Sequence, residues 1–236
     1  MGRALLTAGV SMIALGGAIT AAPAIAAPRF PPPSPKCRSL KGDHVVLSSP
    51  QVTVYRGVVP GRRGAHDWAC GRHRSSAAPL GADLVTHRFP SDEKIRPIVA
   101  AGPWVAAFES SGGGFEACPA SVRPRCPLSH HQVELLEPGT GSSGSTGTGV
   151  HIATLQVSSM RRPGGAQVGA VVWLQRLGGS TARLTSMVEV NRAGGGSVSG
   201  GRVAQGNINP RSVRLRGLRV RFVEDGRRRT VRLRTR

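Results

Sequence analysis

The sequence predicts an all-β protein built from about four antiparallel sheet units, and three observations carry that prediction. Apolar residues come in short runs, roughly four to eight long, that alternate with polar residues and lack helical spacing. The runs are rich in valine, leucine and aromatics and end at Gly, Pro or Ser. Glycine (32) and proline (18) punctuate the chain too often for a helix to run.

Residues 1–27 stand apart as an expected signal peptide. Arg3 supplies the positive start, residues 4–22 carry no charge, and Leu5, Leu6, Val10, Met12, Ile13, Leu15 and Ile19 make the stretch apolar. Pro23 breaks a helix. Ala24-Ile25-Ala26 then offers the small-x-small pattern a signal peptidase requires, so cleavage is expected at Ala26-Ala27 and the location is expected to be secreted or extracytoplasmic. As an anchor the segment is barely long enough and is diluted by Gly9, Gly16 and Gly17. Membrane contact is therefore expected only through an uncleaved signal. Residues 28–42 follow as a Pro-rich extended arm, opening with Pro28-Arg29-Phe30-Pro31-Pro32-Pro33-Ser34-Pro35.

The β-rich repeat domain is expected over 43–236. Runs at 45–47, 52–55 and 67–70 form a first set, and 95–98, 104–108 and 133–136 a second. Runs at 150–157, 168–174 and 184–190 form a third, and 213–218, 220–223 and 230–233 a fourth. The Gly/Ser/Thr-rich stretch 139–149 reads as a flexible loop between the second and third sets.

The sets also resemble one another. Gly102-Pro103-Trp104-Val105 leads to Phe108, Gly169-Ala170-Val171-Val172 to Trp173, and Gly217-Leu218-Arg219-Val220 to Phe222. A glycine turn is expected before each, and a Val-x-Leu or Val-x-Val strand follows at 133–135, 188–190 and 231–233. Glu137-Pro138-Gly139-Thr140-Gly141 and Asn191-Arg192-Ala193-Gly194-Gly195 close two of them. A period of roughly 40 to 50 residues is what repeat sheets show. On these residues the chain resembles bacterial TolB-like β-propeller repeats, where a Gly-x-x-Val-x-aromatic strand precedes a strand ending in an acidic or Thr-Gly turn. The resemblance implies a small or partial β-propeller, with a β-sandwich as the alternative.

Four cysteines, Cys37, Cys70, Cys118 and Cys126, form an even set in an exported chain and argue for two disulfides. Cys118–Cys126 would close a short Pro-rich loop, and Cys37–Cys70 would tie the arm to the first sheet. No Cys-x-x-Cys is present for zinc, and no metal or cofactor is expected.

The formal net charge is +20, almost wholly from arginine, because lysine occurs only at Lys36, Lys41 and Lys94. Genome base composition accounts for much of that enrichment, but not for the tail. There Arg214, Arg216, Arg219 and Arg221 alternate with apolar residues, and Arg227, Arg228, Arg229, Arg232 and Arg234 continue the basic run. Such a ladder suits a polyanion, and it equally suits protection of the last strand of a sheet against edge pairing.

Catalytic motifs do not survive their structural requirements. Gly139-Thr140-Gly141-Ser142-Ser143-Gly144 satisfies G-x-G-x-x-G, but the strand-like segment 150–155 follows where a dinucleotide site needs a helix, so no nucleotide partner is expected. Ser91-Asp92-Glu93-Lys94 matches S-x-x-K but is bracketed by Pro90 and Pro97. His44, His66, His73, His87, His130, His131 and His151 share no ligand spacing, and adjacent pairs such as Asp43-His44 and His66-Asp67 would point to opposite faces of a strand. Trp68, Trp104 and Trp173, with Tyr55, Phe108 and Phe222, could stack sugars or bases, but their place inside apolar runs fits core anchors, with Trp68 left open.

The expected function is therefore a secreted, non-enzymatic, propeller-like interaction or scaffold protein of the bacterial cell envelope or exterior, meeting anionic envelope polymers or another protein. The alternatives are a polyanion-binding protein acting through the arginine-rich tail, and an extracellular hydrolase with a site assembled from scattered histidines and carboxylates.

Overall fold

The computed structural model describes residues 35–41, 43–58, 65–72, 75–80, 94–112, 129–140, 142–147, 152–192 and 195–235. The expected signal segment 1–27, residues 28–34 of the expected arm, Cys118, Cys126 and Ser91-Asp92-Glu93 lie outside the described residues.

The described chain is all-β and forms four antiparallel sheets, each from consecutive strands and none closed on itself. Sheet 1 holds β1 (His44–Ser48), β2 (Val52–Val58), β3 (Ala65–Gly71) and β4 (Ala78–Pro79). Sheet 2 holds β5 (Lys94–Ala101), β6 (Trp104–Gly112), β7 (Ser129–Glu137) and β8 (Ser142–Gly147). Sheet 3 holds β9 (Ile152–Arg161), β10 (Gln167–Gly178), β11 (Thr181–Arg192) and β12 (Gly195–Gly206). Sheet 4 holds β13 (Arg214–Arg216), β14 (Arg219–Glu224) and β15 (Arg227–Arg232). The described helical residues are two 3-10 turns, Cys37–Leu40 in the arm and Pro210–Ser212 before β13. Among the described residues no helix is long and apolar enough to cross a membrane.

Each sheet packs a face on the next, so the core comes in layers. Val52, Val54 and Ala69 of sheet 1 meet Val105, Ala107 and Leu136 of sheet 2. The opposite face of sheet 2, with Trp104, Phe108 and Leu135, meets Val171, Trp173 and Met187 of sheet 3. The other face of sheet 3, with Val168, Val172, Leu174 and Leu184, meets Leu215, Val220 and Phe222 of sheet 4. Both faces of β10 are thus covered, which is why residues 168–174 form an unbroken buried run and not an alternating one. All three tryptophans are buried, Trp68 included, and their role is packing.

Polar side chains join sheet 4 to sheet 3. On β9, Thr154, Gln156 and Ser158 share one face. Thr154 Oγ1 donates to the Pro210 carbonyl at 3.1 Å, and the Ser158 hydroxyl accepts from the Gly217 N–H at 2.7 Å. Gln156 acts at both ends of its amide: Nε2 donates to the Val213 carbonyl at 2.8 Å and Oε1 accepts from the Leu215 N–H at 2.9 Å. One side chain therefore satisfies edge groups of β13 that a neighbouring strand would otherwise take.

Several expectations are corrected. Gly169 lies inside β10 and not in a turn, whereas Gly102 (φ 57°) and Gly217 (φ 54°) do occupy tight turns. The reason is space: a Cβ on Gly169 would lie 2.3 Å from the Trp104 ring. The stretch 139–149 is not a loop throughout, because Ser142–Gly147 pairs with β7 as β8. The arm is not uniformly extended, since Cys37–Leu40 turns to bury Leu40.

Candidate functional site

Sheet 4 presents the most concentrated chemistry among the described residues. Two tight turns set its register. Gly217, in the left-handed region, joins β13 to β14, and Asp225 (φ 49°) with Gly226 (φ 75°) joins β14 to β15. An Asp-Gly pair with both residues at positive φ is the hairpin turn that matches strand twist.

Alternation then sorts the side chains. Leu215, Val220 and Phe222 go to the core, and Arg214, Arg216, Arg219 and Arg221 go to solvent. Arg216 lies opposite Arg219, which lies opposite Arg232; Arg214 lies opposite Arg221, which lies opposite Thr230; Val223 lies opposite Arg228. Six arginines thus occupy one face of three strands, on a grid of about 4.8 Å across strands and about 6.8 Å along them. Arg214 Nη1 donates to the carbonyls of Arg211 and Val213, which pins its guanidinium. Arg216, Arg219, Arg221, Arg228 and Arg232 have no side-chain partner among the described residues. Like charges directly opposite one another oppose sheet pairing, so this face works against its own stability until anions neutralise it.

The structure divides the remaining tail arginines. Arg227 and Arg229 fall on the opposite parity, facing Glu224 and Phe222 across the ladder, and Arg229 forms an ion pair with Glu224 at 3.4 Å. Arg234 lies beyond β15, where its carbonyl accepts from the Ser199 hydroxyl at 3.1 Å. Three consecutive arginines on a strand must split between two faces, which removes Arg227 and Arg229 from the ladder.

The other candidate groups do not assemble. His44 and His66 lie in sheet 1 and His130 and His131 on β7, while His73, His87 and His151 fall outside the described residues. Among the described residues no three His, Cys, Asp or Glu side chains gather at a metal-binding distance. The Asp67 carboxylate is engaged by Arg56, whose Nε and Nη2 donate to Oδ1 and Oδ2 at 3.0 and 2.8 Å. Thr140 and Asn191 both donate to the Glu137 carboxylate, so the turn after β7 meets the end of β11. The Gly139–Gly144 stretch ends in β8 and cradles no helix start.

The disulfide Cys37–Cys70 is present, with a Cα–Cα separation of 5.7 Å. Sequence reasoning missed the cations around it, Lys36, Arg38, Lys41 and Arg72. The available signal was compositional: two of the chain's three lysines flank Cys37 within a few residues. No protein-family model, no curated protein and no solved structure matches the chain.

Proposed function

We propose that this protein is an extracytoplasmic, non-enzymatic binding protein that holds an anionic polymer on the arginine face of sheet 4. The observation that carries this reading is the position of Arg219 and Arg221 on β14, the central strand. Charges that guard against edge pairing belong on edge strands. Two arginines in the middle of the sheet, Arg219 with a like charge opposite it on both sides and Arg221 with one on one side, serve no such purpose. They do suit a polymer that brings one anion for every about 7 Å of its length. The apolar N-terminal segment with its Ala24-Ile25-Ala26 site supports export. An exported chain meets anionic envelope polymers before it meets chromosomal DNA.

Heparin chromatography of the mature protein tests the reading. Retention should fall steeply with salt, as release of condensed counterions requires. Replacing Arg216, Arg219 and Arg221 together with serine should move elution to much lower salt. Replacing Arg161, Arg176 and Arg202, which removes equal charge elsewhere, should move it little. Equal effects from the two triple variants would mean that net charge, and not this face, binds the polymer.

The four sheets are read as blades of a partial propeller of the TolB-like kind, not closed between sheets 4 and 1, which leaves the arginine face uncovered. Supporting this, the first strands neighbour one another in sequence order, β1 on β5, β5 on β9 and β9 on β13, while each meander runs on to its last strand, the fourth in sheets 1 to 3 and the third in sheet 4. A crystal structure of the mature chain would decide between a propeller and an open stack.

A further inference from the structure

We propose that the outer face of sheet 1 carries a second and separate site, a pocket for an anionic hexose unit. A cavity of about 520 Å³ opens there. Lys36, Arg38, Lys41 and Arg72 line it, and its lining contains no carboxylate. None of the four has an ion-pair partner among the described residues. Lysine is otherwise almost absent from this arginine-rich chain, so its concentration here is a local feature and not a reflection of bulk composition.

Two separate pieces of chain build the pocket. The arm brings Lys36, Arg38 and Lys41, and β2 and β3 with the residues just after bring Thr53, Tyr55 and Arg72. The Cys37–Cys70 bond ties the pieces together. Around it the Cys37 N–H donates to the Ser75 carbonyl at 2.7 Å, and the Ala77 N–H to the Pro35 carbonyl at 2.9 Å. Thr53 lies opposite Cys70 and Tyr55 opposite Trp68, which puts both on the face turned away from sheet 2. Tyr55 rests half-buried against the small cluster of Leu40, Trp68, Cys70 and Ala77, so its ring is held in place. Its hydroxyl has no partner among the described residues.

Size and lining select the ligand. Pockets of about 300–1,000 Å³ take small organic molecules, and a bare phosphate would leave most of this volume to water. The Tyr55 ring and the disulfide form an apolar wall, with the hydroxyls of Thr53 and Ser75 beside it. An apolar wall, hydroxyls and several cations fit a sugar ring bearing a phosphate or a carboxylate. The site lies on sheet 1 and not on the sheet that carries the arginine face, takes a single unit instead of a polymer, and does not depend on the reading of sheet 4.

Tyr55 is the chain's only tyrosine, so fluorotyrosine labelling of the mature protein gives one fluorine resonance, located in the pocket. The probes are glucose 6-phosphate, glucuronate, glucose and inorganic phosphate. The resonance should shift saturably with glucose 6-phosphate or with glucuronate, and the tighter of the two identifies the anionic group. Glucose should leave it unmoved. In Arg38→Ser/Arg72→Ser, which alters only exposed side chains, the affinity should fall at least about tenfold, the value of one charged hydrogen bond. Cys37→Ser/Cys70→Ser should weaken binding while heparin retention stays unchanged. The proposal is overturned by no saturable shift with either anionic sugar, by an unchanged affinity in Arg38→Ser/Arg72→Ser, or by an equal response to glucose or inorganic phosphate. Serine at Arg216, Arg219 and Arg221 should not alter this titration, so the two sites stand or fall separately.

Discussion

Gly169 of β10 lies directly beneath the indole of Trp104 on β6, so close that a Cβ there would sit 2.3 Å from ring atom Cδ2. The contact joins sheets 2 and 3 in the middle of the stack. Gly169→Ala should destabilise the protein by about 1–3 kcal/mol through overpacking, measured by urea unfolding. Gly201→Ala, on β12 where an added methyl meets open space, should be neutral or slightly stabilising. Trp104→Leu should relieve much of the Gly169→Ala penalty, making the double variant non-additive. Equal costs at both glycines would show that backbone freedom, and not the indole, sets the requirement.

The Gln156 amide stands in for a strand beside β13. Gln156→Met keeps the volume but leaves the Val213 carbonyl and the Leu215 N–H without their partner, at about 1–3 kcal/mol for each group that stays dry. Amide exchange should accelerate first at Leu215, with β10 and β11 protected as before. Uniform acceleration across sheet 3 would contradict a local role.

Arg219 sits between Arg216 and Arg232 in one cross-strand row. Arg219→Glu converts two repulsive pairs into attractive ones and should stabilise the fold by about 0.5–1 kcal/mol. The same change should weaken heparin retention. Opposite signs for stability and binding mark charge retained for a ligand; a loss of both would mean that the guanidinium is structural.

Arg56 grips the Asp67 carboxylate with two hydrogen bonds, and the Asp67 side chain is fully buried while that of Arg56 is 40% exposed. Arg56→Met should cost on the order of 2–3 kcal/mol, below the full penalty of a wholly buried pair because water reaches the site. The thermal midpoint of Asp67→Asn/Arg56→Met should lie above that of Arg56→Met alone.

Cys37 and Cys70 close a loop with a sequence separation of 33. Their replacement by serine should cost about 3–4 kcal/mol, chiefly by freeing the unfolded chain. Calorimetry of the oxidised protein against the double variant checks the size of the effect.

Much of the architecture was legible because the first three strands of each set bury valine, leucine and aromatic residues, and burial leaves a pattern. The fourth strands, β4, β8 and β12, left none. β8 reads Ser-Ser-Gly-Ser-Thr-Gly, and β12 is largely glycine and serine. They are strands because β7 and β11 present a row of backbone groups to pair with, and that requirement is invisible in their own side chains. Gly169 looked like punctuation because the cause of its smallness, Trp104, belongs to another sheet. The arginine face was readable from alternation, although the split of Arg227 and Arg229 from Arg228 needed the turn at Asp225 and Gly226 to fix the parity. The pocket at Tyr55 was not readable, since its cations come from segments brought together by a covalent bond.

The order of the layers has a consequence for how the molecule is made. Strand pairing is confined to consecutive strands, and each layer rests on the one before it in sequence, so assembly can proceed vectorially as the chain emerges. Sheet 4 is synthesised after the other three, and its apolar residues Leu215, Val220 and Phe222 pack on β10 and β11, which must be in place to cover them. The arginine surface therefore reports on the layer beneath it: a chain in which sheet 3 has not formed has nothing to hold that surface in place.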